Sequence, residues 1–286
     1  MGVFTTPVIG LYEKAMPEAL DWPHKLLTAR DAGYAFVEMS IDETDTRLAR
    51  LDWSEADMKV FREAVIETGV PVPSICLSGH RRYPMGSEDV SERRIAMDMM
   101  RKAVELASKL GIRTIQLAGY DVYYSPGNVR TRANFLDGLK QAALWAGESQ
   151  VMLSMEIMDH PLMNSVRHYL EYARKVASPW FSVYPDIGNL SAWGACLDEE
   201  LSLAGGRITA IHLKDTLAVS GVSPGQFKNV PFGEGCVDFP YVFSILAGLE
   251  YRGPFVIEMW SGEDSGYVME IGRVREWMLE QMKQGG

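Results

Sequence analysis

The sequence has few cysteines, few histidines, no excess of positive charge and no long apolar run. Its three cysteines, Cys76, Cys196 and Cys236, stand far apart in 286 residues, which excludes a CxxC metal or redox motif and a disulfide framework. Such sparing use suits a reducing compartment. Apolar runs such as 151–157 fall well short of the roughly 20 residues that span a bilayer. The opening MGVFTTPVIG has neither the basic start nor the apolar stretch of a signal peptide, so the expected location is the cytoplasm, with no membrane partner. Lys and Arg number 28 against 38 Asp and Glu, a formal net charge of −10 that would repel a phosphate backbone. Nucleic acid is therefore not expected as a partner. No GxGxxG follows the first apolar run, which weighs against an open dinucleotide-binding sheet. No Ser/Gly tract, charge block or low-complexity run divides the chain, so residues 1–286 are expected to form one globular domain.

What the sequence has is a recurring unit. An amphipathic helical stretch ends at Gly, and a short run rich in β-branched residues begins one to three residues later. It reads AGYAFVEMS at 32–40, TGVPVPSICLS at 68–78, LGIRTIQLAGY at 110–120 and YRGPFVIEMW at 251–260. Gly supplies the left-handed residue that ends a helix, and the run after it has the composition of a buried parallel strand. VIGLYE (8–13), MLSMEIMD (152–159), FSVYPDIG (181–188) and ITAIHLKD (208–215) bring the count to eight candidate strands. From Leu11 to Glu258 they recur every ~35 residues, the period of a βα repeat rather than of a sandwich. The intervening helices carry start signals: Pro23 after Asp21 or Trp22, the capping box of Ser54 and Asp57, and Asp238 two residues before Pro240. Eight such units predict a (β/α)8 barrel.

Barrel active sites lie at the C-terminal ends of the strands. Four successive strands finish on an ionisable residue there: Glu156, Asp186, His212 and Glu258. Side chains alternate along a strand, so Ser154 and Glu156 share one face while Leu153, Met155 and Ile157 share the other. Ala210 and His212 likewise oppose Ile211 and Leu213. With the large apolar residues against the helices, three carboxylates and one imidazole converge inside the barrel. Like charges in that confinement cost several kcal/mol in desolvation and repulsion unless a cation compensates them. One divalent metal ion is expected, and oxygen-rich ligation with one nitrogen suits Mn2+, Zn2+, Co2+ or Mg2+. Taken one at a time, each residue has a plainer reading: Glu as a salt-bridge partner, His as a hydrogen-bonded core residue, Asp186 as a turn cap. Glu38, which ends the second strand facing the mouth, is read first as a structural ion pair and second as a group that binds or orients another ligand.

Longer stretches carry a family likeness. GLYEKAMP (10–17), FVEMSIDETDTRLARLDW (36–53), ICLSGHRRYPMGSED (75–89), MEIMDHPLMNS (155–165), YPDIGNLSAW (184–193), HLKDT (212–216) and FKNVPFGEG (227–235) together resemble the L-ribulose-5-phosphate 3-epimerases, also called L-xylulose-5-phosphate 3-epimerases, of the xylose-isomerase-like barrels. The resemblance covers nearly the whole chain. It implies metal ligation by Glu156, Asp186, His212 and Glu258, with Glu156 and Glu258 also exchanging the roles of acid and base. Inverting C3 of a ketopentose 5-phosphate beside its carbonyl then runs through an enediolate, with the metal stabilising the developing charge. Related epimerases of free ketoses carry His three residues after the metal Asp and Arg in the loop beyond the metal His; those places here hold Asn189 and Lys228. Lys228 and Asn229 are expected to bind O1, O2 or the phosphate. The basic cluster His80-Arg81-Arg82 is expected to hold the 5-phosphate, through His80 and Arg82. Among the aromatics near the strand ends, Tyr12, Tyr120, Trp193, Phe232 and Trp260, the last two are the preferred platforms for a sugar face. Two departures from the family pattern stand out: His160 where Tyr is expected, and a longer segment between Thr216 and Phe227, loop 217–226.

Other readings remain open on the sequence alone. An aldose–ketose isomerase, an epimerase of an unphosphorylated ketose and an inosose dehydratase share the metal and glutamate logic, and a non-catalytic sugar-phosphate-binding barrel would share the fold. An apurinic endonuclease needs a trinuclear zinc site with several more histidines, whereas this chain has five, two of which, His24 and His168, fall in helical stretches. Barrels of this kind commonly pair through their helices, so a homodimer is expected.

Overall fold

A computed structural model describes residues 6–260 and 266–286. In chain order the elements are β1 (Ile9–Tyr12), α1 (Trp22–Asp31), β2 (Phe36–Ile41), α2 (Asp45–Leu48), α3 (Glu55–Thr68), β3 (Ser74–Leu77), α4 (Val90–Leu110), β4 (Thr114–Leu117), α5 (Val129–Glu148), β5 (Met152–Glu156), α6 (Val166–Val176), β6 (Phe181–Tyr184), α7 (Ile187–Ala192), α8 (Leu197–Ala204), β7 (Ile211–Leu213), β8 (Asp215–Leu217), β9 (Gln226–Val230), α9 (Phe239–Gly248), β10 (Phe255–Ile257) and α10 (Tyr267–Gly285). The helix starts follow from local chemistry. Asp21 accepts from His24 N at 3.0 Å, Asp238 accepts from Tyr241 N at 3.0 Å, and Ser54 and Asp57 form a reciprocal capping box. Each satisfies a backbone donor that the helix leaves unpaired, worth about 1 kcal/mol. Gly69 and Gly111 close α3 and α4 with φ of 70° and 76°, the left-handed geometry that glycine adopts without strain.

Eight strands pair in parallel in the order β6-β5-β4-β3-β2-β1-β10-β7. Single bridges between Val183 and Ile208 and between Asp186 and His212 join the two end strands and close the ring, with His212 N donating to Pro185 O at 3.0 Å. The protein is thus a single-domain (β/α)8 barrel. Two residues expected at the site are register partners on its closing seam.

Alternation sorts the strands as the sequence predicts. Val37, Met39, Ile41, Leu153, Met155, Ile157, Ile211 and Leu213 belong to the large apolar core between sheet and helices. Tyr12, Phe36, Cys76 and Val256 form a separate cluster inside the barrel, against which Trp260 packs. Gly10 makes room for it, since a Cβ there would stand 2.2 Å from the Phe36 ring. Behind β1, buried Glu13 is held by Lys25 at 2.7 Å and by both terminal nitrogens of Arg50, and accepts from Ser40 N at 2.8 Å. Ser40 in turn hydrogen-bonds the Tyr12 hydroxyl at 3.1 Å, which fixes that ring inside the barrel.

The segment around 217–226 is not a simple loop. It runs through an antiparallel hairpin of β8 and β9, pairing Asp215 with Val230 and Leu217 with Gln226. The Asp215 carboxylate anchors its return by accepting from Gly233 N at 2.9 Å and Gly235 N at 3.0 Å. The hairpin carries Lys228 to the barrel mouth. Among the described residues no helix is long and apolar enough to cross a membrane.

Candidate active site

Glu156 is the last residue of β5, Asp186 follows β6, His212 sits within β7, and Glu258 follows β10. One ligand atom from each lies within 4.8 Å of the others, and all four side chains are buried. His212 Nδ1 is 3.4 Å from Glu156 Oε1, 3.6 Å from Glu258 Oε2 and 3.8 Å from Asp186 Oδ2. Asp186 does two things at once. Its Oδ1 accepts from Asn189 N at 2.8 Å and caps α7, while Oδ2 faces the cluster. The capping and ligand readings of this residue are therefore compatible.

Glu38 lies beneath the cluster, fully buried. Its Oε2 accepts from Ser74 Oγ at 2.7 Å and Tyr184 OH at 3.0 Å, and its Oε1 stands 2.7 Å from His212 Nε2. A carboxylate already serving as acceptor takes the imidazole N–H at Nε2, which leaves Nδ1 as the nitrogen that faces Glu156, Asp186 and Glu258. A carboxylate behind a histidine that faces a candidate metal position is the usual means of fixing tautomer and ring orientation.

Lys214, two residues after His212 and on the same strand face, had no part in the sequence expectations. Its ammonium lies 2.9 Å from Asp186 Oδ2 and 3.0 Å from Glu258 Oε2. The charges of this group pull against one another. Burial pushes the Asp186 carboxyl up to about 8 despite Lys214, and burial also raises Glu156. Burial acts the same way on Glu258, but Lys214 and His212 outweigh it and hold it at about 2. Among the described residues Asp186 Oδ2, Glu258 Oε2 and His212 Nδ1 have no hydrogen-bond partner, so the lysine contacts are ion pairs without hydrogen-bond geometry. Buried polar atoms left unbonded and aimed at one point are costly unless something binds there. Three carboxylates and one imidazole nitrogen, with no thiolate in the set, suit a divalent cation.

Of the 286 residues, 26–281 match the family model described as xylose isomerase-like TIM barrel. SgbU of Escherichia coli strain K12 is 54% identical over 278 residues, 97% of each chain. The L-ribulose-5-phosphate 3-epimerase UlaE of Salmonella paratyphi A is 51% identical over 278 residues, 97% of this chain and 96% of that one. The chain belongs to the L-ribulose-5-phosphate 3-epimerase family. It is an enzyme of the isomerase class. Solved structures share its fold: D-allulose 3-epimerase from Methylomonas sp. superposes with a TM-score of 0.78 at 18% identity, covering 96% of this chain and 98% of that one. An L-ribulose 3-epimerase superposes with a TM-score of 0.77 at 17% identity, covering 98% and 96%.

Above the four residues opens a narrow cavity of about 40 Å³, walled by Tyr12, Arg81, Asn189, Lys214, Lys228 and Trp260 among others. Glu156 and Glu258 line it, whereas Asp186 and His212 are fully buried beneath. Asn189 is pinned by its Nδ2, which donates to Ile157 O at 2.8 Å, and its buried Oδ1 has no partner among the described residues. Trp260 meets Tyr12 edge-on with ring centroids 6.1 Å apart. Lys228 stands with its ammonium 5.7 Å from the Trp260 ring centre, and burial together with Arg81 and Lys214 lowers its pKa. Asn229 is exposed and borders a neighbouring depression instead, its backbone left-handed with φ of 57°.

The expectation that His80 and Arg82 hold a phosphate at the mouth is not met. Residues 79–81 form a turn of 3-10 helix, which sends successive side chains in different directions. His80 points outward into α4, Nε2 lying 3.1 Å from Ala96 O, and burial lowers its pKa to about 4. A neutral, buried imidazole has nothing to offer an anion. Arg82 is exposed and engaged with Asp45 at 2.5 Å. The middle residue, Arg81, is the one that reaches the cavity, stacked 4.5 Å over the Tyr123 ring. Phe232 packs on Phe239 and Trp277, with centroids 6.0 Å from each, and Trp193 packs on Phe227. His160 caps a turn by accepting from Leu162 N at 3.3 Å and lies beside Tyr120 and Tyr123.

Proposed function

We propose that this protein is a metal-dependent 3-epimerase that interconverts L-ribulose 5-phosphate and L-xylulose 5-phosphate, with Glu156, Asp186, His212 and Glu258 as the ligands of one divalent ion, Mn2+, Zn2+, Co2+ or Mg2+. One observation carries the reading. Of four buried residues that converge on a point, only the two glutamates also line the cavity that opens at the barrel mouth. When bound, a divalent ion supplies Lewis-acid stabilisation of the charge that develops on the substrate's carbonyl oxygen.

The residues of the chain do the rest. The C3 proton is acidic because C3 adjoins the C2 carbonyl, and a positioned carboxylate removes it from one face while a second returns a proton to the other. Glu258 and Glu156 take these two roles and exchange them when the direction reverses. Tyr12 and Trp260 present ring surfaces to the C–H face of the sugar. Asn189 Oδ1, buried and without a partner among the described residues, accepts from a substrate hydroxyl.

The phosphate belongs at the cationic rim. Lys14 is paired with Asp42, and Arg81 has Glu43 at 3.8 Å, whereas Lys228 makes no ion pair with another described residue. Arg81 and Lys228 both line the cavity and are the residues placed to share a phosphate dianion, with charge-assisted hydrogen bonds that a neutral sugar would not form. The −10 net charge and the free cysteines suit a cytoplasmic enzyme, which we take to be a homodimer. An assay of the metal-loaded protein on L-ribulose 5-phosphate and on L-ribulose tests the reading. Turnover of the phosphorylated sugar at least a hundredfold more efficient is expected, and equal or reversed preference would assign the enzyme to free ketoses.

A further inference from the structure

Lys214 follows His212 by two residues, so alternation sets it one layer above the histidine on the same inner face. It is buried, 5% exposed, and its ammonium touches the two carboxylate oxygens, Asp186 Oδ2 and Glu258 Oε2, that are unbonded and turned toward Glu156 and His212. The Trp260 ring stands behind it, with Nζ 6.0 Å from the ring centre. A positive charge thus already leans on part of the position that a divalent cation would need.

Charge counting gives this placement a purpose. Glu156, Asp186 and Glu258 bring three negative charges, and a divalent ion cancels two of them. Lys214 cancels the third. With both cations present the charges of these four residues balance, Glu38 behind His212 being left out of the count, and negative charge that proton removal creates on a substrate meets less repulsion than beside a net anionic cluster. Without Lys214 the same residues would hold the ion more tightly and receive that new charge less well.

We infer that Lys214 is a positioning residue that competes electrostatically with the divalent ion for Asp186 and Glu258, loosening metal binding in exchange for a charge-balanced site. This rests on the metal reading given above for the same four residues. It assigns Lys214 a measurable signature that a packing role would not have: removal of its charge tightens the metal while it slows turnover. A residue needed only to hold the site together would weaken both.

The test uses the full-length protein, stripped of metal with a chelator and titrated with Mn2+ by calorimetry. Lys214→Met keeps an unbranched side chain one atom shorter and removes the charge, and Lys214→Arg keeps the charge. The expected result is Mn2+ binding about tenfold tighter in Lys214→Met than in the wild type, a larger rise in melting temperature on Mn2+ addition, and a lower kcat. Lys214→Arg should stay near the wild-type affinity. Should Lys214→Met fail to fold without metal, Lys214→Gln serves for the same titration. Equal or weaker Mn2+ binding in the charge-removed variant overturns the role assigned to Lys214 while leaving the metal site standing. A wild-type protein that takes up no ion overturns both.

Discussion

Glu38 Oε1 and His212 Nε2 lie 2.7 Å apart, although 174 positions separate the two residues in the chain. This contact decides which nitrogen of the imidazole is free. With Nε2–H donated to Glu38, Nδ1 is left as the nitrogen that faces Glu156, Asp186 and Glu258. Glu38 is held for that task by Ser74 and Tyr184, so the orientation of His212 is set by three strands at once.

The first prediction follows from that relationship. Glu38→Gln keeps the shape of the side chain but no longer demands a proton from Nε2, so the histidine loses its fixed tautomer and part of its basicity. Metal affinity should fall about 10- to 100-fold, the usual cost of losing such an orienting carboxylate. Titration of the apoprotein with Mn2+ measures it, and an unchanged affinity would show that Glu38 serves only the packing of the barrel.

The two glutamates that face the cavity should be individually indispensable. Glu156→Gln and Glu258→Gln each remove one proton-transfer group, and kcat for epimerisation should drop roughly a thousandfold or more in either variant. Initial-rate measurements on metal-replete protein check this. If both variants keep near wild-type rates, the proton is moved by other groups.

Arg81 and Lys228 are expected to recognise the phosphate rather than the pentulose. Arg81→Ala or Lys228→Ala should each raise KM for L-ribulose 5-phosphate by about tenfold, in line with the loss of a charge-assisted hydrogen bond, while barely altering the weak turnover of L-ribulose. Arg82→Ala, whose side chain lies outside the cavity, should leave KM for both sugars unchanged. Steady-state kinetics with the two substrates separates these outcomes.

His80 predicts a stability change that has nothing to do with turnover. Burial lowers its pKa from the usual 6.5 to about 4, so the folded protein keeps the ring neutral where the unfolded chain protonates it. The unfolded state then binds more protons between these two values, and stability falls as pH drops through that window. Between pH 7 and pH 5 the loss from this one group is about 2 kcal/mol. Urea unfolding at both pH values should show a smaller acid penalty in His80→Gln than in the wild type. An identical penalty would mean that other groups govern acid sensitivity.

Much of this was legible in the sequence because the barrel imposes regular spacing. The glycines at 69 and 111 mark helix ends, and the β-branched runs after them are the strands, so eight runs recurring at one interval suffice to name the architecture. Parity within a strand then sorts Glu156 and His212 to the inside. Lys214, two residues past His212, was not singled out by that rule, because a lysine there reads as a solvent-facing loop residue until neighbouring strands enclose it. Arg81 was out of reach for a different reason. It lies on a 3-10 turn, where strand parity has no meaning, and its neighbours His80 and Arg82 were as basic in the sequence as it was. The pairing of Glu38 with His212 depends on which strands stand beside and across from each other, and no local pattern contains it. The β8–β9 hairpin, with mostly polar strands and an irregular register, gave no periodic signal to find.

The most direct test of the account is turnover of L-ribulose 5-phosphate by the metal-loaded protein in D2O, with NMR of the recovered sugars. Proton removal and return at C3 by Glu156 and Glu258 predicts one deuterium at C3 of the product and none at C1 or C4. Deuterium at C1, or epimerised product free of deuterium at C3, would contradict it.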